Sequence, residues 1–113
     1  MIITFADKKL KKYANNHRLA VRKLGSKRAG LYRRRLDDLA AAESFADLMY
    51  LPCNFHQLKE SRKGQWACDL DQPYRLIFEP AEFPVPENEA GAQILMEIKS
   101  AEIIQIKDYH KKR

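Results

Sequence analysis

Cysteine is scarce in this chain, and what little there is carries no metal or redox signature. Only Cys53 and Cys68 occur in 113 residues, with no C-x-x-C spacing and no His pair at zinc-finger distance. Both read as reduced, small apolar side chains. Long apolar runs are missing too, and no stretch approaches the roughly 20 residues a membrane-spanning helix needs. The start MIITFADKKL brings in charge almost at once, unlike a secretory signal. Together these absences predict a cytoplasmic protein with no membrane partner. There is no internal repeat and no interdomain linker, so residues 1–113 read as one domain with a single modest core.

What is present is positive charge. Lys and Arg number 21 against 15 Asp and Glu, a formal net charge of +6, which puts nucleic acid first among partner classes and an anionic membrane second. With 45% hydrophobic residues the chain has enough apolar surface to offset the entropy of ordering, so a folded globule is expected rather than a disordered basic tail.

Periodicity changes once along the chain. Met1 to Phe5 is apolar and β-branched, and Asp7 follows as an N-cap, which predicts a strand handing over to a helix. Leu10, Tyr13, Ala14, His17, Ala20, Val21 and Leu24 then recur at three-and-four spacing, one amphipathic stripe ended by Gly25, with His17 expected at its buried edge. Ser26 is the expected cap of a second helix, with Ala29, Tyr32, Leu36, Leu39 and Ala40 inward and Lys27, Arg28, Arg33, Arg34 and Arg35 facing away. A connection of about two residues makes these two helices a hairpin. Ser44 and Asp47 suggest one further helical turn, ended before Pro52.

Beyond Pro52 the spacing becomes alternation. Trp66, Cys68 and Leu70, then Tyr74, Leu76 and Phe78, predict two antiparallel strands around an Asp71-Gln72-Pro73 turn, and Asp69 and Asp71 read as turn residues. Residues 94–99 and 101–106 predict two more strands around a Ser100 corner. Residues 80–92 hold three prolines and no periodicity, which predicts a flexible loop and the most disordered piece of the chain. The class is α+β: an N-terminal strand, a two-helix hairpin, then a three- to four-stranded, mainly antiparallel sheet with helices on one face.

Three segments carry more than fold. They are Leu51-Pro-Cys-Asn-Phe-His-Gln-Leu-Lys-Glu-Ser-Arg-Lys-Gly-Gln-Trp66, Tyr74-Arg-Leu-Ile-Phe78 and Ile106-Lys-Asp-Tyr-His110. In order and spacing they resemble the RelE/HigB toxin family, the plasmid maintenance killer proteins, over nearly the whole chain. The resemblance implies a RelE-like fold and a cofactor-free, metal-free endoribonuclease that cuts mRNA in the ribosome. It implies as partners mRNA, the ribosome and its rRNA, and a cognate antitoxin, typically a helix-turn-helix HigA-like protein. Residue by residue, His56, Asp108, Tyr109 and His110 match the family's catalytic cluster, while Lys59, Arg62 and Arg75 match its basic and phosphate-binding positions. Glu60 departs from the pattern, standing where a glycine-like residue would better suit a tight turn.

The chemistry those residues could perform needs no metal. If the RNA's own 2′-OH attacks the adjacent phosphate, the protein must supply a base, an acid and cations around the phosphorane. Imidazole suits the proton transfers, so His56 and His110 are the expected pair with their two roles left open. Asp108 is expected to orient one imidazole, and Tyr109 to stack on a base or position the 2′-OH. Arg75 is out of phase with Tyr74, Leu76 and Phe78, so alternation points its phosphate-matching fork to the opposite sheet face. Trp66 reads as core before it reads as a stacking platform.

The basic helix faces, Arg33 and Arg34 among them, are expected to dock rRNA through phosphate contacts. Two competing functions remain: a non-catalytic module binding RNA, ribosome or antitoxin through the same surface, and, further behind, a DNA-binding accessory factor.

Overall fold

Residues 1–110 are described by the structure, a computed structural model. The first strand, β1 (Ile2–Phe5), passes to α1 (Lys8–Asn15) through Asp7, whose side chain accepts hydrogen bonds from the Lys9 and Leu10 N–H groups at 2.7 and 3.3 Å. These satisfy two of the donors that a helix start leaves unpaired. The expected single helix then breaks. Asn16 adopts extended angles (φ −144°, ψ 93°) and caps a new helix, α2 (His17–Leu24), by accepting from the Leu19 N–H at 3.0 Å. The break resets the helical phase, so His17 becomes the exposed first residue of α2 rather than a member of the buried stripe.

Gly25, at φ 88°, turns the chain into α3 (Ser26–Ala41) and itself occupies the N-cap position, so Ser26 is the first helical residue and not the cap. α2 and α3 pack as the expected hairpin. A short α4 (Phe45–Leu48) starts where the sequence places a capping pair: Ser44 Oγ accepts from the Ala46 N–H, and Asp47 accepts from the Glu43 N–H at 2.8 Å.

Four strands follow: β2 (His56–Gln57), β3 (Trp66–Asp69), β4 (Tyr74–Pro80) and β5 (Ser100–Asp108). With β1 they form one five-stranded sheet in the order β1-β5-β4-β3-β2. All neighbours are antiparallel except β1 and β5, which run parallel with Ile2 opposite Ser100. One expectation for this half fails. Residues 94–99 are not a strand, because Leu95–Glu97 wind into a 3-10 turn that packs Leu95 and Ile98 inward and leaves Met96 exposed. Past Pro80, the end of β4, the segment to residue 92 is the expected loop between strands, tied by its own hydrogen bonds. Within it the Asn88 side chain accepts from the Ala90 and Ala92 N–H groups, and Glu87 bridges to Gln93.

Gln93 pins that loop to the sheet. Its oxygen accepts from Trp66 Nε1 at 2.9 Å and from Gln57 Nε2 at 2.7 Å, and its own amide donates to the Gly64 carbonyl at 2.9 Å. Glu82 closes the other end, accepting from the Lys99 N–H and the Ser100 hydroxyl, both at 2.6 Å. Burial opposes ionisation of Glu82, but these donors together outweigh it and hold the carboxyl below its ordinary value.

The core lies between the helices and one sheet face. Leu10, Tyr32, Leu39, Phe45 and Leu48 from the helical layer meet Trp66, Cys68, Leu76, Phe78, Ala101 and Ile103 from the sheet. Phe45 sits edge-on to Trp66 at 5.3 Å and to Phe78 at 5.7 Å. Each such ring removed from water contributes about 1.5–3 kcal/mol. Tyr32 satisfies its buried hydroxyl by donating to the Leu10 carbonyl at 2.8 Å, and burial pushes its pKa up. Cys68 is buried and free, with its thiol pushed up by the same desolvation; Cys53 is also free.

Candidate nucleic-acid interface

Alternation along β3, β4 and β5 gives the sheet a second face, turned away from the helices. The register aligns His56, Ala67, Ile77 and Gln105 in one row across β2 to β5, and Asp69, Arg75 and Lys107 in the next row on the same face. As the phase argument required, Arg75 is on this face. Its guanidinium lies over the Tyr109 ring at 4.6 Å, and Lys107 Nζ approaches the same ring at 5.7 Å. Tyr109 is held there by its backbone N–H, which donates to the Pro73 carbonyl at 2.9 Å.

Arg62 reaches the same face from the loop before β3. Its two terminal nitrogens donate to Gln65 Oε1 at 2.9 Å and Gln105 Oε1 at 2.6 Å, and Gln65 passes the chain on to Glu79 at 3.1 Å. The side chain thus crosses β4 near Ile77, which is fully buried without belonging to the helix-side core cluster. Neutral amides hold Arg62, so its charge is fixed in place and not cancelled by the bonds that fix it. Lys59 lies further out, lining a cavity of about 750 Å³ between residues 57–64 and 87–93. Glu60 adopts φ 58° in this loop, the left-handed geometry a glycine takes most easily.

His56 stands on β2, at the edge of the sheet. Its Nδ1 is 2.7 Å from the Asn54 carbonyl oxygen. A carbonyl can only accept, so in the neutral ring this bond places the proton on Nδ1 and leaves Nε2 with a free lone pair. Cys53 and Asn54, at φ 75° and 59°, make the turn that delivers it.

The expected residues are therefore partly gathered. Arg75, Tyr109 and Lys107 touch or nearly touch, and Arg62 shares their face. His56 is on that face too, but two strands and two residues from Arg75, roughly 12 Å between Cα atoms, and roughly 17 Å from Asp108 by the same strand spacing. Among the described residues Asp108 makes no hydrogen bond to an imidazole ring; its Oδ1 accepts from the His110 backbone N–H at 2.7 Å. Among the described residues no three His, Cys, Asp or Glu side chains converge as a metal site would require.

Arg33 and Arg34 lie elsewhere. They are exposed on α3, in the layer that covers the opposite side of the sheet, where Arg33 lines a small cavity with Tyr13 and His17. They cannot share a ligand atom with Arg75. Two neighbours expected to face solvent instead turn inward. Arg35 is buried and donates Nε to the Asp69 carbonyl at 2.9 Å, and Arg28 forms a two-point pair with Asp71 at 3.0 and 3.1 Å while lying 3.4 Å over the Tyr74 ring. Trp66 is core, as expected.

Sequence reasoning missed four residues on the open face: Asp69, Gln65, Gln105 and Lys107. Lys107 and Gln105 flank the apolar Ile106, but alternation from Ala101 and Ile103 would turn Gln105 inward, and only the register shift opposite Ile77 and Phe78 sets it on the open face. Asp69 was mistaken for part of the Asp71 turn, although its spacing from Trp66 and Cys68 already placed it out of phase with them.

A family model described as a RelE-like toxin of type II toxin-antitoxin system HigB matches residues 3–89. The matched span includes His56, Lys59, Arg62 and Arg75 and ends before Asp108, Tyr109 and His110. No curated protein matches the chain. No helix among the described residues is long and apolar enough to cross a membrane. A type II toxin is one half of a pair, so membership brings a cognate antitoxin as partner. With most of its length matched and its helices and mixed sheet arranged as above, the chain belongs to the HigB-like family of RelE-like toxins of type II toxin-antitoxin systems.

Proposed function

We propose that this toxin is an endoribonuclease that cuts mRNA in the ribosomal A site by attack of the RNA's own 2′-OH. The observation that carries the reading is the cationic open face: Arg75 over the Tyr109 ring, Lys107 beside the same ring, and Arg62 strung between two amides. Fixed cations that need not reorganise suit a phosphate whose charge grows in the transition state. His56, with Nε2 free, is the base that takes the 2′-OH proton. The 2′-oxygen bonds to phosphorus, the bond to the 5′-oxygen breaks, and His110 returns a proton to that oxygen, leaving a 2′,3′-cyclic phosphate and a 5′-hydroxyl. Tyr109 supports Arg75 on one ring face and offers the other to a base.

The antitoxin in this reading is a helix-turn-helix HigA-like protein, the site of action is the cytoplasm, and Lys59 extends the RNA path while Arg33 and Arg34 dock rRNA from the helical layer. A second reading is a toxin that binds the ribosome without cutting, and the span from His56 to the Asp108 tail favours it. The two separate on chemistry. His56→Ala and Arg75→Ala should each lower mRNA cleavage in a reconstituted translation mixture by about a hundredfold or more, with growth arrest lost in parallel. Arrest and cleavage that survive both substitutions would sink the nuclease reading.

A further inference from the structure

We infer that Asp69 is a positioning residue for Arg75, an inference that rests on the nuclease reading above and names how its phosphate-binding arginine is aimed. Asp69 ends β3 directly opposite Arg75 on β4. Its backbone is tied on both sides: the N–H donates to the Cys53 carbonyl at 2.8 Å, and the carbonyl accepts from Arg35 Nε at 2.9 Å. One tie runs to the turn that delivers His56 and the other to α3, so the carboxylate rises from a fixed point of the fold.

On the open face Asp69 Oδ1 lies 3.7 Å from Arg75 Nε, and both atoms are sealed from solvent with no hydrogen-bond partner among the described residues. A sealed charged donor facing a sealed charged acceptor is costly to leave unjoined. A shift of under an ångström closes the gap to a charge-assisted bond. Tyr109 bounds that shift on one side, because the guanidinium carbon lies 4.6 Å over its ring centre. With Nε committed to Asp69, the two terminal nitrogens of Arg75 are the donors left for a phosphate. The arrangement makes Arg75 an end-on clamp, and a phosphate seated there draws the Asp69 bond shut.

A carboxylate beside an arginine also competes with phosphate for its charge, and the experiment reads both signs. Asp69→Ala, Arg75→Ala and the double variant are compared for mRNA cleavage in a reconstituted translation mixture, with KM and kcat separated. In parallel, solvent exchange of the Arg75 Nε–H is followed by ¹⁵N NMR. Asp69→Ala should raise KM about tenfold when Arg75 is present, by less than about twofold when it is absent, and should speed Nε–H exchange. Asp69→Asn, which keeps an oxygen facing Nε, should recover most of the loss and guards against a folding defect. An equal loss with and without Arg75, or faster cleavage in Asp69→Ala, overturns the inference while leaving the nuclease reading intact. Wild-type cleavage by Arg75→Ala overturns both.

Discussion

The two faces of this sheet are built from the same strands, one residue out of step, and they behave as different materials. On the helix side Trp66, Leu76, Phe78 and Ile103 are fully buried against aromatic and aliphatic partners. On the open side Asp69, Arg75, Gln105 and Lys107 come from the same three strands, held by a hydrogen bond to a neutral amide, a tyrosine ring under a guanidinium and an ion pair drawn apart. The arginines sharpen the contrast. Arg28 and Arg35, on the helical side, give their donors to Asp71 and to the Asp69 carbonyl. Arg62 is held by neutral amides. An arginine's use is thus decided by what the fold sets against it, and a count of basic residues along a helix does not show that.

The comparison can be broken most severely from the apolar side. Phe78→Ala should cost about 3–5 kcal/mol, read as a lowered denaturant midpoint with an unchanged slope, because Phe45, Phe55 and Trp66 all pack on that ring. Loss of activity in that variant would follow loss of fold. Arg28→Ala tests whether a helix-side arginine is only structural. It should cost about 1–2 kcal/mol for the lost two-point pair and stacking over Tyr74, with mRNA cleavage per folded molecule unchanged.

The smallest effect concerns Glu82, which ties the loop after β4 to the start of β5. Because the folded-state carboxyl of Glu82 titrates below its ordinary value, its contribution is present above the ordinary carboxylate range near about pH 4.3. It is lost as pH falls through that range toward the lowered value. Amide exchange at Lys99 should accelerate over that interval, and Glu82→Gln should flatten the dependence.

Much of this architecture was legible in the residues. Asp7 and Ser44 announce their helices because a short acceptor side chain is the cheapest partner for a first-turn N–H, and alternation from Trp66 to Phe78 fixes both sheet faces. It also put Arg75 on the open face. What failed had competing explanations at the same spacing. Asn16 fits a helix surface as well as a cap, and only the extended backbone there reveals the break. Ile94, Met96 and Ile98 alternate like a strand, yet the chain must turn there to bring Ser100 beside β1. Asp69 was hidden by its neighbour in the turn, and no local pattern signals that Asp108 accepts from the His110 backbone N–H.

The parallel pairing of β1 with β5 sets an order of events during synthesis. Among the described strands β1 is made before the other four and pairs only with β5, which is made after them. β1 must therefore wait, without a strand to pair with, while residues 6–99 are translated. Tyr109 follows β5, so its contact with Arg75 forms only after all five strands have been made.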